Sequence, residues 1–387
     1  MPVINRIAEF HGEIAAWRRD IHANPELQYD VHRTAGKVAE LLRSFGVDDV
    51  VTGIGRTGVV GVIKGRGPGK TIGLRADMDA LPIREATGKT YASQVSGKMH
   101  ACGHDGHTAM LLGAAKYLAE TRNFNGTAVV IFQPAEEGGA GGRAMVEDGL
   151  MDRFGIKEVY GLHNLPGLSA GSFGIREGGI MAATDEFQIT IEGKGGHAAL
   201  PHNTVDPVMI AAQMITALHT IVSRNVDPMR SAVLSVTMVQ AGDAFNIIPR
   251  SVKLTGTIRT LDSDIRNFME EQLKAVATGL AETFGAKARI HYRRGYPVTV
   301  NTARETAFAA QAASEIVGAD RVDTKADPTM GGEDFAYMLQ ARPGAYIFLG
   351  NGDSTELHTD TYDFNDDIIP VGVSYWVRLV ENASQAS

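Results

Sequence analysis

Cysteine is almost absent from this chain. One thiol, Cys102, stands among 387 residues, so no internal disulfide can form and a reducing compartment is expected. Long apolar runs are missing as well: the stretch from Val208 to Val222 is broken by Gln213 and His219 and falls short of the roughly 18 apolar residues that cross a bilayer. The opening MPVINRIAEFHGEIAAWRRDIH carries Glu9, Glu13 and Asp20 where a secretory leader needs an apolar core, and a cytoplasmic location is expected. Basic excess is lacking too. A net charge of -8 argues against nucleic-acid or membrane partners, and an anionic substrate would need a local cation. Repeats and low-complexity tracts are absent.

What is present is an ordinary globular composition, with 44% hydrophobic and 21% charged residues, which excludes general disorder. At 387 residues the chain exceeds what one core fills, and two domains are expected. Short β-branched runs alternate with helical periodicity: VVGVIKG (59–65), TIGLRA (71–76), TAMLLGAAKYLAET (108–121) and TAVVIF (127–132). This alternation predicts βαβ units on a mostly parallel, helix-covered sheet. From Thr184 the order becomes strand, helix, strand, strand, helix, strand: EFQITIEGK, PVMIAAQMITALHTIV, SAVLSVTMV, SVKLTGTIRT, a helical segment and ARIHYRRG. That pattern predicts a small α+β domain with an antiparallel, ferredoxin-like sheet. The fold class is therefore α/β, with residues 184–295 inserted into a larger domain built from 1–183 and 296–387. GRGPGKT (65–71) is no phosphate-binding loop, because Lys64 stands where the first glycine belongs and a strand follows.

The lone cysteine lies in MHACGHDGH (99–107), beside His104, in a loop expected to precede a helix beginning near His107. Cysteine, imidazole and carboxylate are ligands of zinc and similar metals. QPAEEGG (133–139) places Glu136 and Glu137 just past a buried strand, where open α/β sheets put their sites. His163 in VYGLHNLP and His358 in TELHTDTYDF occupy similar loop positions. Singly, these are also what a buried inert thiol, a solvated acidic turn or surface histidines look like. Jointly they supply enough ligands for two metals about 3.5–4 Å apart.

The blocks RRDIHANPEL, LRADMDALPI, HACGHDGH, FQPAEEGGAGG, GLHNLP, GKGGHAALPH, FNIIP, GTIRT, MGGEDFAYML and LHTDTYDFND run in order along nearly the whole chain. In them the sequence resembles the M20 metallopeptidase family, in particular its branch of hippurate hydrolases, N-acyl-amino-acid amidohydrolases and auxin-conjugate hydrolases. The resemblance implies two divalent ions per subunit (Zn, Mn, Co or Ni) held by Cys102, His104, Glu137, His163 and His358. It makes Glu136 the general base that activates a metal-associated water for attack on the amide. It further implies that His197 steadies the oxyanion from a neighbouring subunit, which points to a homodimer or homotetramer through the inserted domain. Asn246 and Arg259 match positions that bind the substrate's polar groups and carboxylate. Asp77 stands where other branches carry a metal-binding histidine, and Asp79 reads as a carboxylate orienting a ligand. The expected reaction is hydrolysis of N-acyl-amino acids, hippurate-like or N-acetylated, to a carboxylic acid and a free amino acid. The runner-up is a dipeptidase or carboxypeptidase-like activity on small peptides, and a non-catalytic metal-dependent binding protein is a third reading that an intact Glu136 disfavours.

Overall fold

The computed structural model describes residues 4–383 and divides into two compact units. The first comprises Ile4–Ile180, Val300–Asp327 and Asp334–Ala383 within the described range, and the second Met181–Thr299 with Pro328–Glu333. The second unit thus takes in a short downstream segment, 328–333, that lies well away in sequence.

The first unit is built on an eight-stranded sheet. Its strands include β1 (Asp49–Ile54), β2 (Gly58–Lys64), β3 (Thr71–Asp77), β4 (Thr127–Gln133) and β5 (Glu158–Pro166), with Gly344–Gly352 beside β5. The order β1, β2, β4, β3, β5, Gly344–Gly352, Phe173–Gly174, Val322–Asp323 makes the four central strands parallel, and antiparallel pairs occur on both flanks. The run TAVVIF is continuous rather than alternating because both faces of β4 are covered. Ala128, Val130 and Phe132 join the main apolar cluster, while Val129 and Ile131 on the opposite face are fully buried too. That cluster is closed by α1 (Asn5–Ala23), α2 (His32–Ser44), α3 (His104–Thr121) and the helices Ala303–Val317 and Ile369–Ala383. β1 escaped the sequence reading because its residues are mostly exposed or half-buried, so it has no apolar periodicity to detect.

One expectation is corrected here. α3 starts at His104, not near His107. Gly103 supplies the reason: at φ +91° it adopts a left-handed turn that a side chain would resist, and the helix begins on the next residue. His104 is therefore a helical residue in the first turn, while Cys102 remains in the loop.

The second unit has a four-stranded antiparallel sheet in the order Ala232–Ala241, Ser251–Thr260, Ala183–Glu192, Lys287–Arg294. Numbered along the chain this is 2-3-1-4, the ferredoxin-like arrangement. Helices Pro207–Thr220 and Ser263–Thr283 pack on one face, the latter with Met269 and Leu273, over Phe187, Ile189, Ile191 and Leu254 of the sheet. Each begins on an aspartate cap: Asp206 accepts from Val208 N, and Asp262 from Asp264 N and Ile265 N. Buried Asp185 accepts from Arg266 and from the Tyr292 hydroxyl at 2.7 Å, locking the first strand to the last helix and strand. Among the described residues no helix is long and apolar enough to cross a membrane.

Candidate functional site

The site lies where the parallel strands of the first unit end. β3 finishes on Asp77 and leads to Asp79; β4 finishes on Gln133 and leads to Glu136 and Glu137; β5 itself carries His163, which is a strand residue and not the loop residue expected, because pairing continues past it to Pro166; and the loop after Gly344–Gly352 carries His358. The helix start and its preceding loop add His104 and Cys102. Four hydrogen bonds bring these loops into register. Asp79 accepts from Glu136 N (2.9 Å) and Glu137 N (3.1 Å) through its two carboxylate oxygens, its carbonyl pairs with His104 Nδ1 (2.8 Å), and His358 N donates to Ala101 O (2.8 Å). Two non-glycine residues at these turns hold left-handed backbone, Ala135 (φ +54°) and His358 (φ +63°). Such conformations cost about 1–3 kcal/mol and persist where surrounding structure enforces them.

Potential ligand atoms converge in three overlapping groups: Cys102, His104 and His163; Cys102, Glu137 and His358; and His104, Glu136 and Glu137. Within each, the atoms lie within 4.8 Å of one another. Cys102 Sγ is 3.4 Å from His163 Nε2, and His358 Nε2 is 3.3 Å from Glu137 Oε1. The histidine orientations suit metal binding. His104 and His163 each engage Nδ1 with a backbone carbonyl, of Asp79 and of Asn164, which turns Nε2 toward the cluster. His104 Nε2 is buried without a hydrogen-bond partner, a cost that a bound cation would remove.

The charges agree. Burial pushes the Cys102 thiol up, and the nearby Glu137 carboxylate adds to that shift. Burial holds His163 well below its usual range, with His107 contributing, so it is a neutral ring. His358 is raised to about 10 by its hydrogen bonds to Cys102 and Glu137. A carboxylate, Glu137, that holds a proton on the neighbouring His358 imidazole favours a cation at the same place, and metal uptake would release that proton and the one on the Cys102 thiol.

The other histidines of MHACGHDGH are engaged differently. His107 pairs through Nδ1 with Asp77 (2.7 Å) and through Nε2 with Asn164. Asp77 in turn accepts from Arg75 Nη1 (2.8 Å), so Asp77 and His107 form a hydrogen-bonded support on one side of the site, with His104 Nε2 3.6 Å from the Asp77 carboxylate. Asp334 had no assigned role in the sequence reading, although its block GEDF was visible. Fully buried, it accepts from Gln133 Nε2 (2.7 Å), Arg75 Nη2 (3.1 Å) and Gly142 N (2.8 Å), while its own N–H points at Glu136 Oε1 (3.3 Å). Nothing in sequence spacing links residue 334 to 75, 133 and 136; only the parallel strands do.

Glu136 and Glu137 face different partners, as adjacent residues past a strand end should. Glu137 reaches the Cys102 and His358 side; Glu136 reaches the Asp334 side. Both belong to the group that includes His104.

His197, Asn246 and Arg259 belong to the second unit, whereas the convergent set belongs to the first. His197 lies on a two-residue strand paired with Ile247, with Ala198 N donating to Asn246 O, so that unit brings His197 and Asn246 together. The His197 side is exposed, and its Nδ1 accepts from Ala199 N at 3.1 Å. Arg259 is half-buried on the strand Ser251–Thr260, donating to Thr257 Oγ1 and to Ile258 O.

The sequence matches the family model described as peptidase family M20/M25/M40 over residues 73–382. It is 43% identical to a hippurate hydrolase of Campylobacter jejuni over 379 residues, 98% of either chain. It is 39% identical to thermostable carboxypeptidase 2 of Saccharolobus solfataricus, over 95% of this chain and 94% of that one. Among solved structures, a dinuclear metal binding peptidase of Bacillus subtilis superposes with a TM-score of 0.87 at 34% identity, covering 98% of this chain and 100% of that one.

Proposed function

This chain belongs to peptidase family M20/M25/M40 and is a hydrolase of amide bonds, and from that premise we propose that it cleaves N-acyl-amino acids of the hippurate or N-acetyl type, releasing a carboxylic acid and a free amino acid. The observation that carries the reading is the convergence of Cys102, His104, Glu137, His163 and His358 with a separate carboxylate, Glu136, at their edge. The similarity to a hippurate hydrolase supports the substrate class.

In this reading the five residues hold two divalent ions, of which Zn, Mn, Co and Ni all suit a mixed sulfur, nitrogen and oxygen set. When bound, such ions lower the pKa of water and polarise a carbonyl. Glu136 takes the proton from the attacking water at its carboxylate and delivers it to the leaving amine nitrogen. Asp79 keeps Glu136 and Glu137 in place through their backbone N–H groups and fixes His104 through its own carbonyl. His197 donates to the oxyanion from a second copy of the chain, which makes the working form a homodimer or a larger homo-oligomer. Arg259 supplies the fork for the substrate carboxylate, and Asn246 a polar contact.

A second reading, release of an amino acid from a peptide, is favoured by the 39% identity to a carboxypeptidase. The two are separated by assaying hippurate, N-acetyl-amino acids and dipeptides on metal-free protein reloaded with each ion in turn. Chelation should abolish turnover and reloading restore it, with N-acyl-amino acids preferred. Preference for dipeptides would establish the second reading, and full activity after exhaustive chelation would refute both.

A further inference from the structure

A hollow of about 480 Å³ opens beside Glu137, within the range of about 300–1,000 Å³ common to small-molecule sites. Its walls include Leu27, Tyr29, Asp30, Leu81, Pro82 and Glu137. We propose that it receives the uncharged acyl half of the substrate, and that Leu27 and Pro82 determine which acyl groups fit. The proposal rests on the N-acyl-amino-acid reading above and specifies how that substrate is oriented.

Position comes first. Segment 26–30 is fastened to the same loops that carry the candidate ligands and base. Ala80 N donates to Glu26 O (2.8 Å), Ala135 N to Gln28 O (3.2 Å), Gln28 Nε2 to Glu137 O (3.1 Å), and the Tyr29 hydroxyl to Gly139 O (2.8 Å). Gln28 keeps a left-handed backbone (φ +47°), a strained conformation retained at the wall of the hollow. The wall is therefore built rather than incidental, and it begins at a residue of the convergent cluster.

Charge decides which half of the substrate enters. An N-acyl-amino acid has one charged end, its α-carboxylate, and one hydrocarbon end. The lining offers apolar surface from Leu27, Leu81, Pro82 and the Tyr29 ring, two carboxylates from Asp30 and Glu137, and no lysine or arginine. Arg56 stacks over the Tyr29 ring at 4.1 Å but is not part of the lining. With Glu137 engaged by the ions it would hold, a carboxylate placed there would still meet the like charge of Asp30 and find no cationic side chain in the lining, whereas an acyl chain or aryl ring would bury apolar surface. The amino-acid half is thus directed elsewhere.

The test compares kcat/KM for benzoyl-glycine and acetyl-glycine in the metal-loaded wild type, in Leu27→Trp and Pro82→Trp, which fill the hollow, and in Arg56→Ala. Either filling variant should lower the benzoyl-to-acetyl ratio about tenfold, leaving the preference between benzoyl-glycine and benzoyl-alanine where it was. Pro82 is exposed, so its variant tests the point even where Leu27→Trp unfolds, and thermal melting identifies that case. An unchanged acyl ratio in a folded Pro82→Trp protein overturns the proposal. So does a shift in amino-acid preference instead, or a loss in Arg56→Ala that is equal for both acyl groups and confined to KM, since that would place the carboxylate here. Where the wild type cleaves dipeptides but no N-acyl-amino acid, the functional reading fails and takes this orientation with it; where it cleaves both acyl substrates and the ratio does not move, only the orientation fails.

Discussion

Two adjacent glutamates, chemically identical, are separated in role by what each can reach. Glu137 shares a group with Cys102 and His358, whereas Glu136 points at the backbone N–H of Asp334. Glu136→Gln keeps the shape and removes the proposed base. Its kcat should fall by about 10²–10⁴-fold while metal binding, measured by calorimetry on metal-free protein, stays near the wild-type value. A second residue-scale expectation concerns His22. Burial alone would depress this imidazolium, but its 2.8 Å hydrogen bond to Asp105, aided by Glu85, carries its pKa up to about 9. An unfolded histidine titrates near 6.5, so the stabilisation from charged His22 is complete below about pH 6.5 and drains away as pH rises toward 9. Urea unfolding should show stability declining across that window, and His22→Gln should flatten the decline. The type of each ligand was legible in MHACGHDGH and QPAEEGG, because ligand chemistry is local. The pairings His107–Asn164, Glu136–Asp334 and His22–Asp105 were not, because each joins segments distant in sequence.

At the scale of elements, the start of α3 carries the most consequence. Gly103 combines φ +91° with close neighbours: a Cβ there would stand 2.0 Å from Asn164 Oδ1 and 2.8 Å from the Tyr362 hydroxyl. Gly103→Ala should therefore cost at least about 2 kcal/mol in thermal unfolding and weaken metal uptake, because Cys102 and His104 flank the turn. A variant with wild-type stability and metal affinity would show that the turn tolerates a side chain. The helix's existence was plain from its apolar run, but its first turn was misplaced by three residues. His104, Asp105 and Gly106 are buried against the site and other elements, so polar residues occupy positions where apolar periodicity would have marked the helix. Elsewhere the strands β2, β3 and β4 and the alternation of the second unit were readable because burial on one or both faces writes itself into the residue pattern.

For the whole molecule, the second unit presents an edge. Ala232–Ala241 pairs with Ser251–Thr260 on one side, no other described strand pairs with it, and Met238 and Val239 are 50% and 55% exposed on it. An apolar sheet edge of this kind is prone to pairing with a second copy. Light scattering should therefore report a dimer or larger oligomer, and Val239→Lys should shift it toward monomer; a wild-type protein that runs as a monomer at assay concentration would remove the basis for placing a partner's His197 in the reaction.

The sequence by itself determined the layer architecture, the ferredoxin-like order of the second unit, the family and the residue types of a metal centre, because each depends on patterns or chemistry carried within short segments. The tertiary structure alone decided how Asp79 ties three loops together, and that segment 26–30 walls a hollow beside Glu137. Those facts depend on loops from separate strands meeting at one end of a parallel sheet, and sequence separation contains no record of that meeting.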